Sequence, residues 1–254
     1  MIETLIVCII AGLGAGIGTG FAGLSAAAVI SPMLVTFLGF DAYEAVGIAL
    51  ASDVLASAVS AYTYGKNRNL DLKNGLVMMV SVLLFTMIGS FVASLVPGTA
   101  MGNLSVLMTF LLGIRFILRP VMTTKELMAS KSPRLQVAES LIGGVVIGFI
   151  CGFIGAGGGM MMLFVLTTIL GYELKTAVGT SVFIMTFTAF TGAVSHFSIG
   201  GLPDPFAFAV CVIATLVGAQ VTAKIANRSD PKTLNRMTGI VLTVLGAVMI
   251  AVKL

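Results

Sequence analysis

The residues of this chain that could bind a ligand centre on one glycine-rich stretch, FIGAGGGMMML, at 153–163. The stretch lies in a segment without charged residues, where each glycine in a helix interior costs roughly 1 kcal/mol relative to alanine. A helix that breaks here and restarts near Gly158 presents unpaired backbone N–H groups and the positive end of its dipole. We therefore predict a binding site for a small anion, formed by the glycines Gly155, Gly157, Gly158 and Gly159.

The composition of the chain places this site inside a membrane. Of its 254 residues 58% are hydrophobic and 9% are charged, and the mean hydropathy is +1.11. A soluble domain has about 25% charged residues, so this chain has too few to cover a soluble surface. Uncharged runs at 4–40, 74–114 and 140–172 exceed the roughly 20 residues that cross a bilayer as a helix. These features predict an all-α, polytopic integral membrane protein that contacts the lipid bilayer and binds no nucleic acid.

An internal repeat divides the chain into two halves. The stretch GFAGLSAAA at 20–28 matches GFIGAGGGM at 152–160 at an offset of 132 residues, and further pairs downstream share this offset. Because so many matches share one offset, we predict two transmembrane repeats, 1–120 and 136–254, joined by a cytoplasmic linker at 121–135. Each repeat is expected to contain one glycine-interrupted segment, re-entrant or broken, and three transmembrane helices.

The basic residues predict how the two repeats are oriented, because lysine and arginine favour cytoplasmic loops. If residues 138–170 enter the membrane and return, every basic cluster lies in the cytoplasm and the loop at 200–205 lies outside. The corresponding loop of the first repeat, 65–73, then lies inside, so the repeats are inverted, as in many secondary transporters. The three basic clusters are Lys66, Arg68 and Lys73; Arg115, Arg119, Lys125, Lys131 and Arg134; and Lys224, Arg228, Lys232 and Arg236.

The glycine-rich stretch at 153–163 and its repeat counterpart at 20–28 are the two predicted helix breaks. Hydroxyl groups near these two breaks are candidates for binding the anion. Ser25 lies in the first-repeat break, where it is expected to be the N-cap of the helix that follows, and Ser52 is placed near the site by the repeat. Thr180 and Ser181, in AVGTS at 177–181, could donate hydrogen bonds to an anion. The alternative is that their hydroxyls bond to the preceding turn of their own helix.

Four other polar residues lie in the predicted spans or at their ends. Asp53 is an intramembrane carboxylate, which by default is a functional candidate: it couples protons, pairs with Arg115 or bonds a neighbouring helix at shallow depth. His196 is a candidate proton relay, and Gln220 either bonds a neighbouring helix or lines the substrate path. The main expectation for Arg115, as for Arg119, is that its side chain extends to the cytoplasmic face.

A second set of glycines and the cysteines are interpreted as structural. These glycines recur every fourth residue, which is the spacing of close helix packing, at Gly12, Gly16 and Gly20 and at Gly144, Gly148 and Gly152. The cysteines lie in apolar segments without the spacing of a disulfide or a metal site, at Cys8, Cys151 and Cys211. No metal or other cofactor is expected.

Several motifs resemble the second half of the TauE/SafE family of sulfite exporters. They are GFIGAGGGMMML at 152–163, LGY, AVGTS and TLVGAQVTAKIA at 215–226, and the resemblance covers essentially the whole chain. It implies movement of sulfite or small organosulfonates across the cytoplasmic membrane of a bacterium or archaeon, usually outward. Family-like roles pass to Gly155, Gly157, Gly158, Gly159, Thr180 and Ser181. The first repeat departs from the pattern, with GLSAAA and GIALASD, which predicts an asymmetric site.

Together these observations predict a secondary transporter that moves a small anion by alternating access of two inverted halves. An uptake permease and a channel for another small anion stay open as alternatives. A third alternative is an intramembrane serine hydrolase, with Ser25 and His196 as its dyad; otherwise no catalytic residue and no enzyme activity is expected. The exact anion, the coupling ion and the oligomeric state, a homodimer included, are left open by the sequence.

Overall fold

A computed structural model describes residues 2–93, 107, 110–111, 113–118, 130–154 and 158–253. Within these ranges the chain forms helices joined by short turns, and no β-strand is present. In chain order they are α1 (Ile2–Ala22), a 3-10 helix (Ala26–Ala28), α2 (Ile30–Leu38), α3 (Ala42–Lys66), α4 (Leu72–Ala93), α5 (Pro133–Ile154), α6 (Gly158–Phe164) with a π-helical extension (Val165–Ile169), α7 (Leu174–Gly200), α8 (Pro205–Arg228) and α9 (Pro231–Lys253).

Five of the described helices, α1, α3, α4, α7 and α8, are long and apolar enough to cross a membrane. The prediction of an all-α polytopic membrane protein is therefore confirmed. The sequence places the last transmembrane helix of the first repeat at 102–119. Half of these residues lie outside the described ranges, and the others, 107, 110–111 and 113–118, are helical. The last transmembrane helix of the second repeat, placed at 233–252, lies within α9.

The turns between the helices gather at two ends of the bundle. At one end the Asp204 backbone N–H donates to the Glu44 side chain (2.8 Å), so the turns at 39–41 and 201–204 lie close together. We call this the acidic end.

At the opposite end the Asn69 side-chain amide donates to the Asn227 side-chain oxygen (2.7 Å). The turn at 171–173 joins them, because the Tyr172 hydroxyl donates to the Asp71 carboxylate (3.0 Å). Lysines and arginines flank these turns, and we call this the basic end; the residues that flank it are Lys66, Arg68, Lys73, Lys175, Lys224, Arg228 and Lys232.

Each interrupted segment folds back to the end from which it starts. Helix α1 runs parallel to α8 from the acidic end, with Cys8 beside Cys211, and α2 returns to the turn that precedes α3. Helix α5 runs parallel to α4 from the basic end, with Gly144 beside Met78, and α6 returns to the turn that precedes α7. Two helical hairpins therefore enter the bundle from opposite ends.

Glycines allow the long arm of each hairpin to pack closely on a helix of the other half. A Cβ atom on Gly12 would lie 2.6 Å from Ala214 Cβ, and one on Gly148 would lie 2.5 Å from the Val82 carbonyl oxygen. Real Cβ atoms do not approach other atoms so closely. The predicted packing role is confirmed for the glycines whose surroundings are described, Gly12, Gly16, Gly20, Gly144 and Gly148.

The end of α1 is buried, and hydroxyl groups bond to its carbonyl oxygens. The chain leaves the helix at Gly23, which has a φ of +61°, in the left-handed region that glycine tolerates. Tyr64 donates to the Gly20 carbonyl (2.9 Å) and Thr238 to the Phe21 carbonyl (3.2 Å). Without water, unbonded carbonyls would cost several kcal/mol each, so these bonds let the break persist inside the membrane.

Replacing Tyr64 with phenylalanine is expected to lower the free energy of unfolding by about 1–3 kcal/mol, because the Gly20 carbonyl then stays buried without a donor. Thermal unfolding in detergent micelles, followed by circular dichroism, measures this change. Tyr62→Phe is the matched control, since Tyr62 is 71% exposed on the same helix. Equal unfolding temperatures for the two variants would contradict the assigned role.

Candidate functional site

The first-repeat break ends at Ser25, the residue immediately before the 3-10 helix. The Ala27 backbone N–H donates to Ser25 Oγ (3.3 Å), so the predicted N-cap role of Ser25 is confirmed. The same hydroxyl donates to Asp53 Oδ2 (2.8 Å), on α3. This bond joins the break to the intramembrane carboxylate.

The Asp53 side chain is buried, with 1% of its surface exposed. Its other oxygen, Oδ1, accepts a hydrogen bond from Ser57 Oγ (2.9 Å), and the backbone of Ala26 also bonds to the carboxylate. A carboxylate at the start of a helix bonds the N–H groups that the helix leaves unpaired. The first-repeat break thus already has a carboxyl group at its helix start.

Pairing with Arg115, one of the alternatives given for Asp53, is wrong. Arg115 Nη1 donates to Thr168 Oγ1 (2.8 Å), and the guanidinium lies 5.1 Å from the centre of the Phe164 ring. Both contacts belong to the returning arm of the second hairpin, and Thr168 lies near the basic end. Arg115 therefore binds at a different depth from the first-repeat break.

The two breaks meet each other in the interior of the bundle. A Cβ atom on Gly159 would lie 2.9 Å from the Ser25 backbone nitrogen and 3.0 Å from the Gly23 carbonyl oxygen. Ser181 Oγ, on α7, donates to the same Gly23 oxygen (3.3 Å). Backbone from both interrupted segments and a hydroxyl from α7 therefore surround one buried place.

The repeat offset shows how the two breaks differ chemically. Shifted by 132 residues, Asp53 corresponds to Met185 and Ser25 corresponds to Gly157. The Met185 sulfur would lie 3.2 Å from a Cβ on Gly159, so Met185 faces the second break as Asp53 faces the first. The second break therefore has a neutral thioether where the first has a carboxylate.

The amino-acid sequence matches the family described as Sulfite exporter TauE/SafE over residues 8–249. This chain belongs to the TauE/SafE family. A relative named probable membrane transporter protein YunE, from Bacillus subtilis, is 26% identical over 97% of both chains. A probable membrane transporter protein of Methanocaldococcus jannaschii is 27% identical over 95% of this chain and 94% of its own. No solved structure matches the chain.

These findings make the TauE/SafE chain a multi-pass protein of the cell membrane and a membrane transporter. The family glycines are partly described in the structure. Gly158 is helical and belongs to α6, whereas Gly155 and Gly157 lie outside the described residues. Gly159 is buried at the meeting point of the two breaks.

The hydroxyl candidates of this TauE/SafE chain occupy different places. Ser181 reaches the meeting point, but Thr180 Oγ1 accepts from the Asp71 backbone N–H (3.2 Å) at the basic end. Ser52 Oγ donates to the Ile48 carbonyl of its own helix (2.8 Å). The structure therefore brings Ser25, Ser181 and Gly159 together and leaves Thr180 with the turn that precedes α4.

His196 and Gln220 lie away from the breaks. His196 lines a cavity of about 270 Å³ at the acidic end, together with Asp41 and Glu44, and its Nδ1 lies 3.0 Å from the Gly192 carbonyl oxygen. The Ser25–His196 dyad of the hydrolase alternative does not form, because the Ser25 hydroxyl donates to Asp53.

Gln220 is exposed on the outer surface of α8, beside Val217 and Val221. Bonding to a neighbouring helix is therefore not seen for its side chain among the described residues.

Sequence reasoning missed three residues that shape the site: Ser57, Tyr64 and Met185. Ser57 lies one turn after Asp53, and that spacing places both side chains on one face of α3. Tyr64 continues the same face toward the basic end, and its hydroxyl bonds α1. Met185 could have been found by applying the repeat offset to Asp53.

Proposed function

We propose that this TauE/SafE protein is a secondary transporter that moves a small anion, of the sulfite or organosulfonate class, by alternating access around the two breaks. The observation that carries the proposal is the close contact of Gly159 with Gly23 and Ser25. Two interrupted helical segments from different halves meet at one buried place, which is how many transporters build a substrate site. The family description, sulfite exporter, supports the choice of anion.

The proposal includes two inverted repeats, and the packing of the helices supports it. Helices α3 and α7 correspond in the repeat and run in opposite directions: Gly47 lies beside Phe197, whereas Tyr64 lies beside Gly179. The hairpin arms pack reciprocally, α1 on α8 and α5 on α4. Reciprocal packing of this kind is expected for two halves related by a pseudo-twofold axis in the membrane plane.

We assign the anion to the second-repeat break. The helix start there faces Met185 and Ser181, so no carboxylate competes for its N–H groups among the described residues, unlike the first break with Asp53. Since Gly159 touches Ser25 in this structure, the hairpins must part to admit the anion. The proposed substrate-binding set is Ser25, Gly155, Gly157, Gly158, Gly159 and Ser181. Thr180 and Ser52 are left out of it, because their hydroxyls bond at the basic end and within α3.

We propose an orientation in the membrane and, separately, a direction of transport. We place the basic end in the cytoplasm because lysines and arginines favour cytoplasmic turns. An interior-negative voltage then drives a lone anion outward by about 2.3 kcal/mol per charge for each 100 mV, which favours export. Uptake is a second candidate, favoured by the buried carboxylate of Asp53, because import of an anion requires a co-transported cation.

Flux measured in proteoliposomes tests the proposal. We expect the purified protein to carry radiolabelled sulfite or methanesulfonate in a saturable manner, and unlabelled anion on the opposite side to accelerate the flux. Liposomes without protein set the background, and intact circular dichroism shows that the protein is folded. If a folded protein moves neither anion, nor any other sulfur oxyanion or carboxylate in a panel, the proposed function is wrong. Flux that does not saturate, and that unlabelled anion on the opposite side does not accelerate, would indicate a channel instead.

A further inference from the structure

The buried carboxylate of Asp53 is separated by a single residue, Ser25, from the place where the two breaks meet. Ser25 connects the two, because its backbone nitrogen faces Gly159 and its hydroxyl donates to Asp53. The described partners of Asp53 are neutral: the hydroxyls of Ser25 and Ser57 and the backbone of Ala26. An anion bound at the breaks would be a like charge near this carboxylate, in an interior where such repulsion is weakly screened.

Within the described part of the chain, no cation on the helices around Asp53 forms an ion pair with it. Lys175, on α7, donates to the Asn227 carbonyl at the basic end (3.1 Å), and His196 lies in the acidic-end cavity. The other titratable residues of these helices make no hydrogen bond with Asp53; they are Glu3, Cys8, Glu44, Tyr62, Tyr64, Lys66, Asp204, Cys211, Lys224 and Arg228.

We propose that the transporter binds its anion together with one proton, which Asp53 holds, and that the Ser25 hydroxyl links the two events. The inference rests on the proposed function and adds the coupling ion to it. A proton on Asp53 removes the like charge beside the anion. Because the linkage is reciprocal, anion binding favours proton binding to the same extent.

The Ser25 hydroxyl has one hydrogen, so it can donate to only one of its two neighbours at a time. When Asp53 is ionised, that hydrogen is donated to Asp53 Oδ2. When Asp53 takes up a proton, its own O–H donates to Ser25 Oγ, and the Ser25 hydrogen can turn toward the anion. The carboxylate gains one proton from the aqueous phase and returns it after the anion leaves, and no heavy-atom bond is made or broken.

Proton co-transport changes what drives the flux. One proton carried with a monovalent anion makes the cycle electroneutral, so the membrane voltage neither drives nor opposes it. The direction of net flux then depends on the anion gradient and the pH gradient together. An anion that accumulates inside the cell still leaves down its own gradient, and an acidic exterior favours uptake.

Asp53→Asn tests the coupling, because an asparagine amide can donate to Ser25 Oγ as a protonated carboxyl group does. We expect the affinity of wild-type protein for sulfite or methanesulfonate to fall by about tenfold per pH unit once Asp53 is ionised. The affinity of the variant should not show this dependence. Both proteins bind the same anion, so the anion's own titration cancels in the comparison. In proteoliposomes, a pH gradient should accelerate the wild type and leave the variant unchanged.

Ser140→Ala is the matched control for a polar substitution in a buried helix. Ser140 Oγ bonds to the Gln136 carbonyl of its own helix, so this variant should show the wild-type pH dependence. If Asp53→Asn does not fold, proton uptake by the wild type, measured with a pH indicator on addition of methanesulfonate, replaces it. We then expect about one proton per bound anion.

Two different failures can be distinguished. Anion flux with the same pH dependence in wild type and Asp53→Asn, or anion binding without proton uptake, overturns the coupling and leaves the transport function standing. Absence of both binding and flux for every anion, in a folded wild-type protein, overturns the proposed function and the coupling together.

Discussion

Replacing Gly159 with leucine is expected to reduce anion flux to the level of protein-free liposomes. The side chain would start at a Cβ atom 2.9 Å from the Ser25 nitrogen, 3.0 Å from the Gly23 oxygen and 3.2 Å from the Met185 sulfur. The neighbours on the first hairpin are backbone, which cannot move aside without shifting the whole break. The leucine would therefore separate the two breaks and fill the place proposed for the anion.

The protein should nevertheless fold and insert, because α5 still packs on α4 through Gly144 and Gly148. Overpacking one site costs about 1–3 kcal/mol, which lowers stability without abolishing the fold. Sulfite flux and circular dichroism of the same preparation measure the two effects separately.

Gly14→Ala and Gly159→Ala form a matched pair of smaller substitutions. A Cβ on Gly14 would meet a single atom, Val29 Cγ1, at the ordinary contact distance of 3.6 Å, so flux should be unchanged. The Gly159→Ala protein should transport more slowly than wild type. Wild-type flux in Gly159→Leu would show that the meeting point is a packing contact and not the substrate site.

The positions of the breaks could be predicted because they depend on local sequence. A glycine run inside an uncharged segment cannot continue as an undisturbed helix, and the repeat offset located the matching break at Ser25. The confirmed N-cap at Ser25 follows from such a short-range rule. Composition alone was sufficient for the membrane class.

The side-chain partners could not be predicted in the same way, because they depend on how distant helices pack. Ser25 and Asp53 are 28 residues apart, and their bond forms only when the first hairpin packs against α3. Charge complementarity makes Arg115 one of three alternatives for the role of Asp53. This alternative failed because opposite charges do not show that two side chains lie at the same depth, and Arg115 binds Thr168 instead.

The pair Thr180 and Ser181 shows a further limit of motif reasoning. Successive residues of an α-helix point about 100° apart, since one turn contains 3.6 residues. Ser181 therefore faces the breaks, whereas Thr180 faces the turn at 67–71 and accepts the Asp71 N–H. The motif AVGTS makes both hydroxyls candidates for donating to an anion, but the helix geometry divides them between the site and the basic end.

Hydrogen bonds at the basic end are a second feature through which substitutions can change transport. Asn69 on the turn after α3 bonds Asn227 at the end of α8 (2.7 Å), and Tyr172 bonds Asp71 (3.0 Å). Both bonds join residues of the first repeat to residues of the second. In an alternating-access cycle such bonds must break whenever this end opens, so they stabilise the state in which it is closed.

The double variant Asn227→Ala, Tyr172→Phe is therefore expected to shift the protein toward a state that is open at the basic end. Each lost hydrogen bond contributes about 0.5–1.5 kcal/mol, so the pair should change the equilibrium by roughly 5- to 150-fold. The reporter is Ser181→Cys in a background with alanine at the native cysteines, because Ser181 is buried beside the breaks. A membrane-impermeant thiol reagent, applied from the basic side, should label the double variant faster than the reporter alone.

Tyr62→Phe in the reporter background controls for a tyrosine substitution, because Tyr62 is exposed and lies outside the basic-end contacts. Labelling from the acidic side should slow in the double variant, since a shift toward one open state depletes the other. Faster labelling from both sides would mean that the variant is loosened as a whole. Unchanged labelling from the basic side would show that the two hydrogen bonds between the halves do not hold this end closed. The packing of Gly179 against Asn69 and Tyr64 would then be sufficient to keep it closed.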